Sequence, residues 1–336
     1  MREIVSAPVA ISGVICKVSN LTVAYHSGGE WLQAVRDVSF EVLAGEILAI
    51  VGETGSGKST TATAMIRMLP RNGRVLSGQV TFAGQELLSL PNREMRRLRG
   101  EDIAYVPQQP MSAFNPTIAL GKQVAEPLVI HRRMSYREAA PQAAKRLREM
   151  GIHEVERVMR SYPHELSGGM LQRAMIATAM ICEPRLLILD EPTSALDVTI
   201  QRQILNLIKE LQVGYRLAVV LISHDLTVVS QVADRILVLY GGRATEIGAT
   251  SSIVDGARHP YTRGLLRSTL TRELVHKAKL ASLAGYPPNP REVDRDPGCP
   301  FMPRCHRAMA QCAVAFPPVA GGPDHAWACY NPEPAT

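Results

Sequence analysis

A glycine-rich loop at residues 52–60 constrains the fold of this 336-residue chain more than any other feature. The loop follows a strand-like apolar run over residues 46–51 and precedes a helical pattern over residues 60–68. Glycines let the backbone bend until successive N–H groups point inward at phosphate oxygens, and the positive end of the following helix dipole faces the same point. We call this loop the P-loop, and it consists of Gly52, Glu53, Thr54, Gly55, Ser56, Gly57, Lys58, Ser59 and Thr60. A strand, such a loop and a helix in this order predict a phosphate-binding site in an α/β domain.

Two side chains of the P-loop are predicted to act on a nucleotide directly. Lys58 is expected to reach the β and γ phosphates, and the Ser59 hydroxyl is expected to bind Mg²⁺. The plainer interpretation is a glycine-rich turn without a ligand. The flanking strand and helix favour phosphate binding over that interpretation.

A second buried strand delivers two carboxylates. The apolar run at residues 186–189 is followed directly by Asp190 and Glu191. Ligands of open α/β sheets bind beyond the carboxyl ends of the strands. Asp190 is therefore predicted to hold Mg²⁺ through water, and Glu191 to orient or deprotonate a water molecule that attacks the γ-phosphate. The alternative is that this segment only ends a strand and begins a turn.

The order of patterns along the chain predicts an α/β fold. Short apolar runs recur between residues 46 and 239 with helical patterns between them, which indicates a mostly parallel sheet. Residues 14–25 and 34–42 alternate apolar and polar side chains, as expected of an antiparallel β portion. We predict an α/β domain over residues 14–250 with a helical insertion at about 110–181, and a small cysteine-rich C-terminal extension over residues 251–336.

Composition and charge exclude several classes of protein. Hydrophobic residues make up 46% of the chain and charged residues 20%, so there is enough apolar surface for a core. No run of about 18 apolar residues is present, and the N-terminus lacks the pattern of a secretory signal, so we expect a protein of the cytosolic side. The 37 basic residues are balanced by 31 acidic ones, and 5% aromatic residues make a base-stacking surface hard to build, so no nucleic acid is expected.

A third motif identifies the chain as similar to the ATP-binding subunits of ABC transporters. Residues 165–173 resemble the signature motif of that family, which general P-loop proteins lack. Its core is Ser167, Gly168, Gly169 and Met170. In the family this element acts in trans on the ATP held by a second subunit, so the resemblance implies an ATPase partner. Met170 departs from the commoner glutamine, but methionine also occurs in peptide and nickel importer subunits.

The resemblance implies roles for further residues. Gln108 resembles the Q-loop glutamine that reaches Mg²⁺, with Gln109 as the neighbouring alternative. Asp197 resembles the D-loop aspartate, and His224 the switch histidine that joins Glu191 in catalysis at the γ-phosphate. Tyr25 resembles the aromatic residue that stacks on adenine, although its position would also suit a core residue. The bound cofactors would be ATP and Mg²⁺, the latter held by Ser59, Gln108 and Asp190.

The C-terminal tail narrows the resemblance to one subfamily. Residues 259–262 look like the start of the extension found in oligopeptide, dipeptide and nickel importer ATPases. Four of the six cysteines follow: Cys299, Cys305, Cys312 and Cys329. Four thiolates in a short tail can hold a metal and supply stability that a small core lacks. A similar cysteine pattern in the subfamily implies an iron-sulfur cluster of the 4Fe-4S type, with zinc as the second choice and free or disulfide-bonded cysteines as the third.

The sequence therefore predicts the ATPase subunit of a peptide-type ABC importer at the cytoplasmic face of the bacterial inner membrane. The resemblance implies three kinds of partner: a second ATPase subunit, with a different chain favoured, two transmembrane permeases and an extracytoplasmic solute-binding protein. A nickel importer is the alternative within the subfamily. A soluble ABC ATPase of DNA repair or translation is disfavoured, since neither a second cassette nor a long coiled coil is present. An exporter is disfavoured because no membrane span is fused.

Overall fold

The computed structural model describes residues 13–194, 196–270, 285–289, 291 and 297–334. The strands in this part of the chain are β1 (Val14–Ser27), β2 (Glu30–Leu43), β3 (Ile47–Val51), β4 (Gly73–Phe82), β5 (Gln85–Glu86), β6 (Ile103–Val106), β7 (Leu186–Asp190), β8 (Ala218–Ser223), β9 (Arg235–Tyr240), β10 (Arg243–Ala249), β11 (Val319–Gly322) and β12 (His325–Ala328). The helices are α1 (Lys58–Met65), α2 (Asn92–Glu101), α3 (Pro110–Ala113), α4 (Leu120–His131), α5 (Tyr136–Glu149), α6 (Val155–Arg160), α7 (Gly168–Met180), α8 (Val198–Tyr215), α9 (Leu226–Val229), α10 (Thr250–Gly256), α11 (Pro260–Leu270) and α12 (Gln311–Val314).

The larger sheet has the strand order β11-β12-β10-β9-β3-β8-β7-β6. Its strands β9, β3, β8, β7 and β6 run parallel, while β10, β12 and β11 are antiparallel additions at one edge. Every residue of β3, β7 and β8 is buried. Such uninterrupted apolar strands are what a parallel sheet covered on both faces requires.

Successive side chains of β3 enter two different cores. Ile47, Ala49 and Val51 pack in the core formed with the helices, whereas Leu48 and Ile50 pack in the core shared with the smaller sheet. This division follows from the period of two residues in a strand. The P-loop therefore leaves a strand that is fixed on both faces at the middle of the sheet.

The smaller sheet is antiparallel, in the order β2-β1-β4-β5. It covers one face of the larger sheet, and its side chains Leu21, Val23 and Phe40 belong to the same buried cluster as Ile50. Helices α3 to α7 lie in sequence between β6 and β7. The α/β fold class predicted from the sequence, with a mostly parallel sheet, an antiparallel β portion and a helical insertion, is confirmed.

The C-terminal tail adds strands to the larger sheet. Strand β12 pairs antiparallel with β10, with Glu246 opposite Trp327. The buried Glu246 carboxylate accepts hydrogen bonds from the N–H groups of Arg258 and His259 and lies 2.8 Å from Nε2 of His325. The domain boundary near residue 250 stays a prediction. Among the helices that the structure describes, none is long and apolar enough to cross a membrane.

Candidate functional site

The predicted site residues gather at one edge of the larger sheet because four neighbouring parallel strands end there. The P-loop follows β3, His224 follows β8, Asp190 ends β7, and Gln108 lies two residues beyond β6. The carboxyl ends of adjacent parallel strands form the usual ligand-binding edge of such a sheet. Motifs that are far apart in sequence thus meet in one place.

Two glycines of the P-loop have backbone angles that residues with a side chain rarely adopt. Gly55 and Gly57 have φ angles of 83° and 99°, in the left-handed region that glycine adopts without strain. A Cβ atom on Gly57 would also lie 2.6 Å from the carbonyl oxygen of Ala34. Gly57 caps α1 without any side-chain hydrogen bond to the first turn, so the N–H groups of that turn are suited to an anion.

Lys58 places a buried cation inside the loop. Its side chain is 4% exposed, and Nζ donates to the carbonyl oxygens of Gly52 and Glu53 at 2.8 and 3.0 Å. The same Nζ lies 3.9 Å from Oε1 of Glu191. Burial lowers the pKa of Lys58, while the carboxylates of Glu191, Asp190 and Glu53 act in the opposite direction. A triphosphate would add the negative charge that this ammonium group can pair with.

Ser59 and Asp190 form an oxygen-rich pair. The Ser59 hydroxyl donates to Oδ1 of Asp190 at 2.8 Å, and the Tyr105 hydroxyl donates to Oδ2 at 3.0 Å. Burial raises the pKa of Asp190, and the two hydrogen bonds lower it. Hydroxyl and carboxylate oxygens are the ligands that Mg²⁺ prefers, so this donor set fits the ion.

Glu191 contacts two other predicted site residues. Its Oε2 accepts a hydrogen bond from Nε2 of Gln108 at 3.1 Å and lies 3.3 Å from Nδ1 of His224. Glu191 also has a positive φ of 47°, a conformation that costs energy in a residue with a side chain. A carboxylate held in this way beside the P-loop lysine is suited to orienting a water molecule.

Tyr25 lines a pocket beside the P-loop. Its hydroxyl is 3.2 Å from Oγ1 of Thr60. The pocket is lined by Tyr25, Leu32, Gln33, Ala34, Gly55, Gly241, Gly242 and Pro288. An apolar, partly enclosed pocket next to a phosphate site is suited to a nucleobase.

The signature residues lie at the start of α7. The Ser167 side chain caps this helix by accepting from the N–H of Met170, and Gly168 lines a groove shared with Gln108 and Glu191. Within the described part of the chain, no hydrogen bond or ion pair joins residues 167–170 to the P-loop. Asp197 caps α8 by accepting from the N–H of Ile200 at 2.9 Å, and its neighbour Ala195 lies outside the described residues.

Sequence reasoning missed three residues that contact the site. Tyr105 donates to Asp190, and its position at the end of a strand beside β7 was the available signal. Arg304 pairs with Glu53, and the Tyr261 hydroxyl accepts a hydrogen bond from the Glu53 N–H at 2.8 Å. Both residues belong to the C-terminal tail, more than 200 residues from the loop, and no pattern in the sequence around them indicates a contact with the P-loop.

The predicted iron-sulfur cluster, and zinc as its substitute, are wrong. Among the residues that the structure describes, no group of three or more Cys, His, Asp or Glu side chains is arranged to hold a metal ion. Cys299 and Cys312 are buried in the core, and none of the six cysteines is in a disulfide. Burial raises the pKa of Cys299 to about 12 and that of Cys329 to about 11, so both are thiols in the metal-free chain at neutral pH. Cys299 and Cys312 therefore act as small apolar residues of the core.

Comparison with known protein families gives two matches. Residues 35–194 match the family model described as ABC transporter. Residues 245–312 match the model described as oligopeptide/dipeptide transporter, C-terminal region.

Curated relatives extend the similarity over almost the whole chain. The chain is 43% identical to the oligopeptide transport ATP-binding protein OppD of Salmonella typhimurium over 321 residues, which cover 96% of this chain and 95% of that protein. It is 45% identical to the dipeptide transport ATP-binding protein DppD of Bacillus subtilis over 304 residues, 90% of each chain.

Solved structures share the fold. The ATP-binding cassette MJ0796, in a dimeric post-hydrolysis state bound to ADP and Pi, is 29% identical with a TM-score of 0.64, and the match covers 70% of this chain and 98% of that one. The cbiO1 protein of Clostridium perfringens, part of the ABC transporter complex cbiONQ, is 25% identical with a TM-score of 0.61 and 71% and 90% coverage.

Proposed function

The chain belongs to the ABC transporter family of ATPases, with the C-terminal region of the oligopeptide and dipeptide transporters, and we propose that it is the ATP-binding subunit of a bacterial peptide importer. The observation that carries the proposal is the convergence of Lys58, Ser59, Asp190 and Glu191 at one sheet edge in a chain whose relatives are named for peptide transport. Hydrolysis of ATP at this edge supplies the energy for import.

Different residues of the site bind the phosphates, bind the adenine and activate the attacking water. The first-turn N–H groups of α1 and the Lys58 ammonium bind the phosphates, and Tyr25 stacks on the adenine in the adjacent pocket. Glu191 holds the attacking water and accepts its proton at Oε1 or Oε2, while His224 and Gln108 fix the carboxylate from the other side. In this arrangement Glu191 is the general base, and His224 acts near the γ-phosphate.

Ser59 and Asp190 are the residues that would hold Mg²⁺, together with the amide oxygen of Gln108. The ion supplies charge neutralisation to the β and γ phosphates when it is bound. The chain's own contribution is the exposed Ser59 hydroxyl held 2.8 Å from the buried Asp190 carboxylate, whose other oxygen accepts a hydrogen bond from the Tyr105 hydroxyl.

The signature residues 167–170 are proposed to act on the ATP of a second ATPase subunit. One P-loop and one signature in the chain cannot complete a shared site alone, and α7 presents its N-terminus and Ser167 at the surface. Asp197 is proposed to contribute to the same interface. A different ATPase chain is the favoured partner, and Gln108 is proposed to connect the site to two permeases that receive peptide from an extracytoplasmic binding protein.

The test is the ATPase rate of the assembled complex. This chain is expressed with its partner ATPase, the permeases and the binding protein, reconstituted at the membrane, and assayed with and without loaded binding protein. We expect dipeptides or oligopeptides to stimulate hydrolysis. Stimulation by nickel in place of peptides would assign the chain to the nickel importers, and hydrolysis that responds to neither would contradict a role in import.

A further inference from the structure

Glu53, the second residue of the P-loop, is held through all of its polar groups. Its N–H donates to the Tyr261 hydroxyl at 2.8 Å. Its carbonyl oxygen accepts from Nζ of Lys58 at 3.0 Å and from the N–H of Ser56 at 3.1 Å. Its carboxylate pairs with Arg304. Two of these partners, Tyr261 and Arg304, come from the C-terminal tail, so the tail contributes to the shape of the loop.

The pair between Arg304 and Glu53 is bidentate and largely buried. Nη1 of Arg304 lies 2.6 Å from Oε2 of Glu53, and Nη2 lies 3.0 Å from Oε1. The Arg304 side chain is 6% exposed and that of Glu53 is 23% exposed. Two parallel charge-assisted hydrogen bonds fix both the distance and the orientation of the carboxylate. Their effect is seen in the pKa of Arg304, which the hydrogen bonds to Glu53 raise.

Arg304 is itself held by a cluster of aromatic rings. The rings of Tyr240 and Tyr261 lie 5.1 and 5.3 Å from that of Phe301, centroid to centroid, and all three side chains are buried. The Tyr240 hydroxyl accepts from Nη1 of Arg304 at 3.0 Å. The N–H of Arg304 also donates to the carbonyl oxygen of Phe301, so the backbone that carries the guanidinium is fixed by the same cluster.

The charge of Glu53 creates a problem for nucleotide binding. The residue belongs to the loop that is proposed to enclose the phosphates, and an unpaired carboxylate there would repel them. The Arg304 guanidinium neutralises this carboxylate from the side of the tail. The ion pair therefore has an electrostatic role in addition to its geometric one.

We propose that Arg304 is a positioning residue for the nucleotide site: its ion pair with Glu53 fixes the P-loop and removes the negative charge that would oppose phosphate binding. The proposal deepens the function argued above and rests on ATP being the ligand. It makes the C-terminal tail a determinant of affinity for the phosphate part of the nucleotide. Adenine binding at Tyr25 is left unaffected.

The experiment measures binding of the fluorescent analogues TNP-ATP and TNP-adenosine to the full chain. In Arg304→Gln we expect the Kd for TNP-ATP to rise about tenfold, which corresponds to about 1.4 kcal/mol, with TNP-adenosine bound as in the wild type. Adding Glu53→Gln should restore most of the TNP-ATP affinity, because the unpaired carboxylate is then gone. If Arg304 only supported the folded structure, adding Glu53→Gln would not restore the affinity for TNP-ATP.

Arg307→Gln is the matched control. Arg307 lies in the same tail and carries the same charge, but its guanidinium bonds to the carbonyl oxygen and Oδ1 of Asn331. The Arg307→Gln variant should bind both analogues as the wild type does. If Arg304→Gln does not fold, the double variant decides, because without the unpaired carboxylate we expect it to fold and to keep most of the wild-type affinity for TNP-ATP.

Three results would overturn the inference while leaving the proposed function intact: wild-type TNP-ATP affinity in Arg304→Gln, an equal loss for TNP-adenosine, or a loss that Glu53→Gln does not relieve. Failure of the wild-type chain to bind TNP-ATP would overturn the proposed function and the inference with it.

Discussion

The Ser59 hydroxyl donates a hydrogen bond to Oδ1 of Asp190 at 2.8 Å, although 131 residues separate the two in sequence. The contact exists because β3 and β7 flank β8 in one parallel sheet and end at the same edge. It joins the first turn of α1 to the strand that carries the site's carboxylates.

Replacing Lys58 by alanine should weaken nucleotide binding. The phosphates would lose their buried cation, and a hydrogen bond to a charged group contributes about 1.5–3 kcal/mol, or roughly 10- to 100-fold in affinity. The Kd for ATP, measured by titration calorimetry, checks this. Lys122→Ala removes an exposed lysine of α4 and should leave the Kd unchanged. Equal affinity in the two variants would remove Lys58 from the site.

Replacing Glu191 by glutamine should preserve ATP binding and lower turnover by about 10²-fold or more, since a positioned general base typically contributes that much. The amide can still bond to Gln108 and His224, so the local geometry should persist. Both quantities are measured on the assembled complex. The control is Glu210→Gln, at an exposed position of α8. Turnover near the wild-type rate in Glu191→Gln would show that another group is the base.

Replacing Tyr105 by phenylalanine should shift the acid side of the pH–rate profile to higher pH. Burial raises the pKa of Asp190, and the hydrogen bond from Tyr105 lowers it. Without that bond the pKa rises further, so Asp190 becomes protonated and loses its metal-binding form at a higher pH. The measurement is kcat/KM for ATP as a function of pH. The control is Tyr136→Phe, at an exposed position of α5, which should leave the pH–rate profile unchanged. If the acid limb does not move in Tyr105→Phe, the role given to Asp190 is contradicted.

The isolated chain should hydrolyse ATP slowly, because its signature residues 167–170 are proposed to serve a partner's nucleotide. The rate should rise when the second ATPase subunit is added. Molar mass by light scattering, taken on the same samples as the ATPase rate, links activity to assembly. Fast hydrolysis by a demonstrated monomer would argue against a shared site.

The sheet could be predicted closely from the sequence because its central strands are fully buried. The apolar runs at residues 46–51 and 186–189 match β3 (Ile47–Val51) and β7 (Leu186–Asp190) to within one residue at each end. A run of apolar residues that ends in Gly or Asp allows few other structures. The pairing of β12 (His325–Ala328) with β10 had no such signal, since only Ala328 of this short strand is fully buried.

The candidate site was predictable where a motif is local and not where two distant segments meet. Lys58 and Ser59 follow from the loop pattern, and Asp190 from the strand that it ends. The pair of Glu53 and Arg304 spans 251 residues, and nothing in the P-loop motif indicates that its glutamate pairs with an arginine of the tail. For the cysteines, the local pattern was misleading. Their spacing suggested metal ligands, whereas Cys299 and Cys312 are buried in the core.

The central claim is that ATP hydrolysis at this site drives peptide import, and uptake of a labelled peptide by proteoliposomes tests it most directly. The vesicles contain this chain, its partner ATPase and the permeases, with binding protein outside and ATP inside. We predict uptake that requires internal ATP and is lost in Glu191→Gln, while Glu210→Gln supports uptake at the wild-type rate. Peptide uptake that continues without ATP, or at the wild-type rate in Glu191→Gln, would contradict the account.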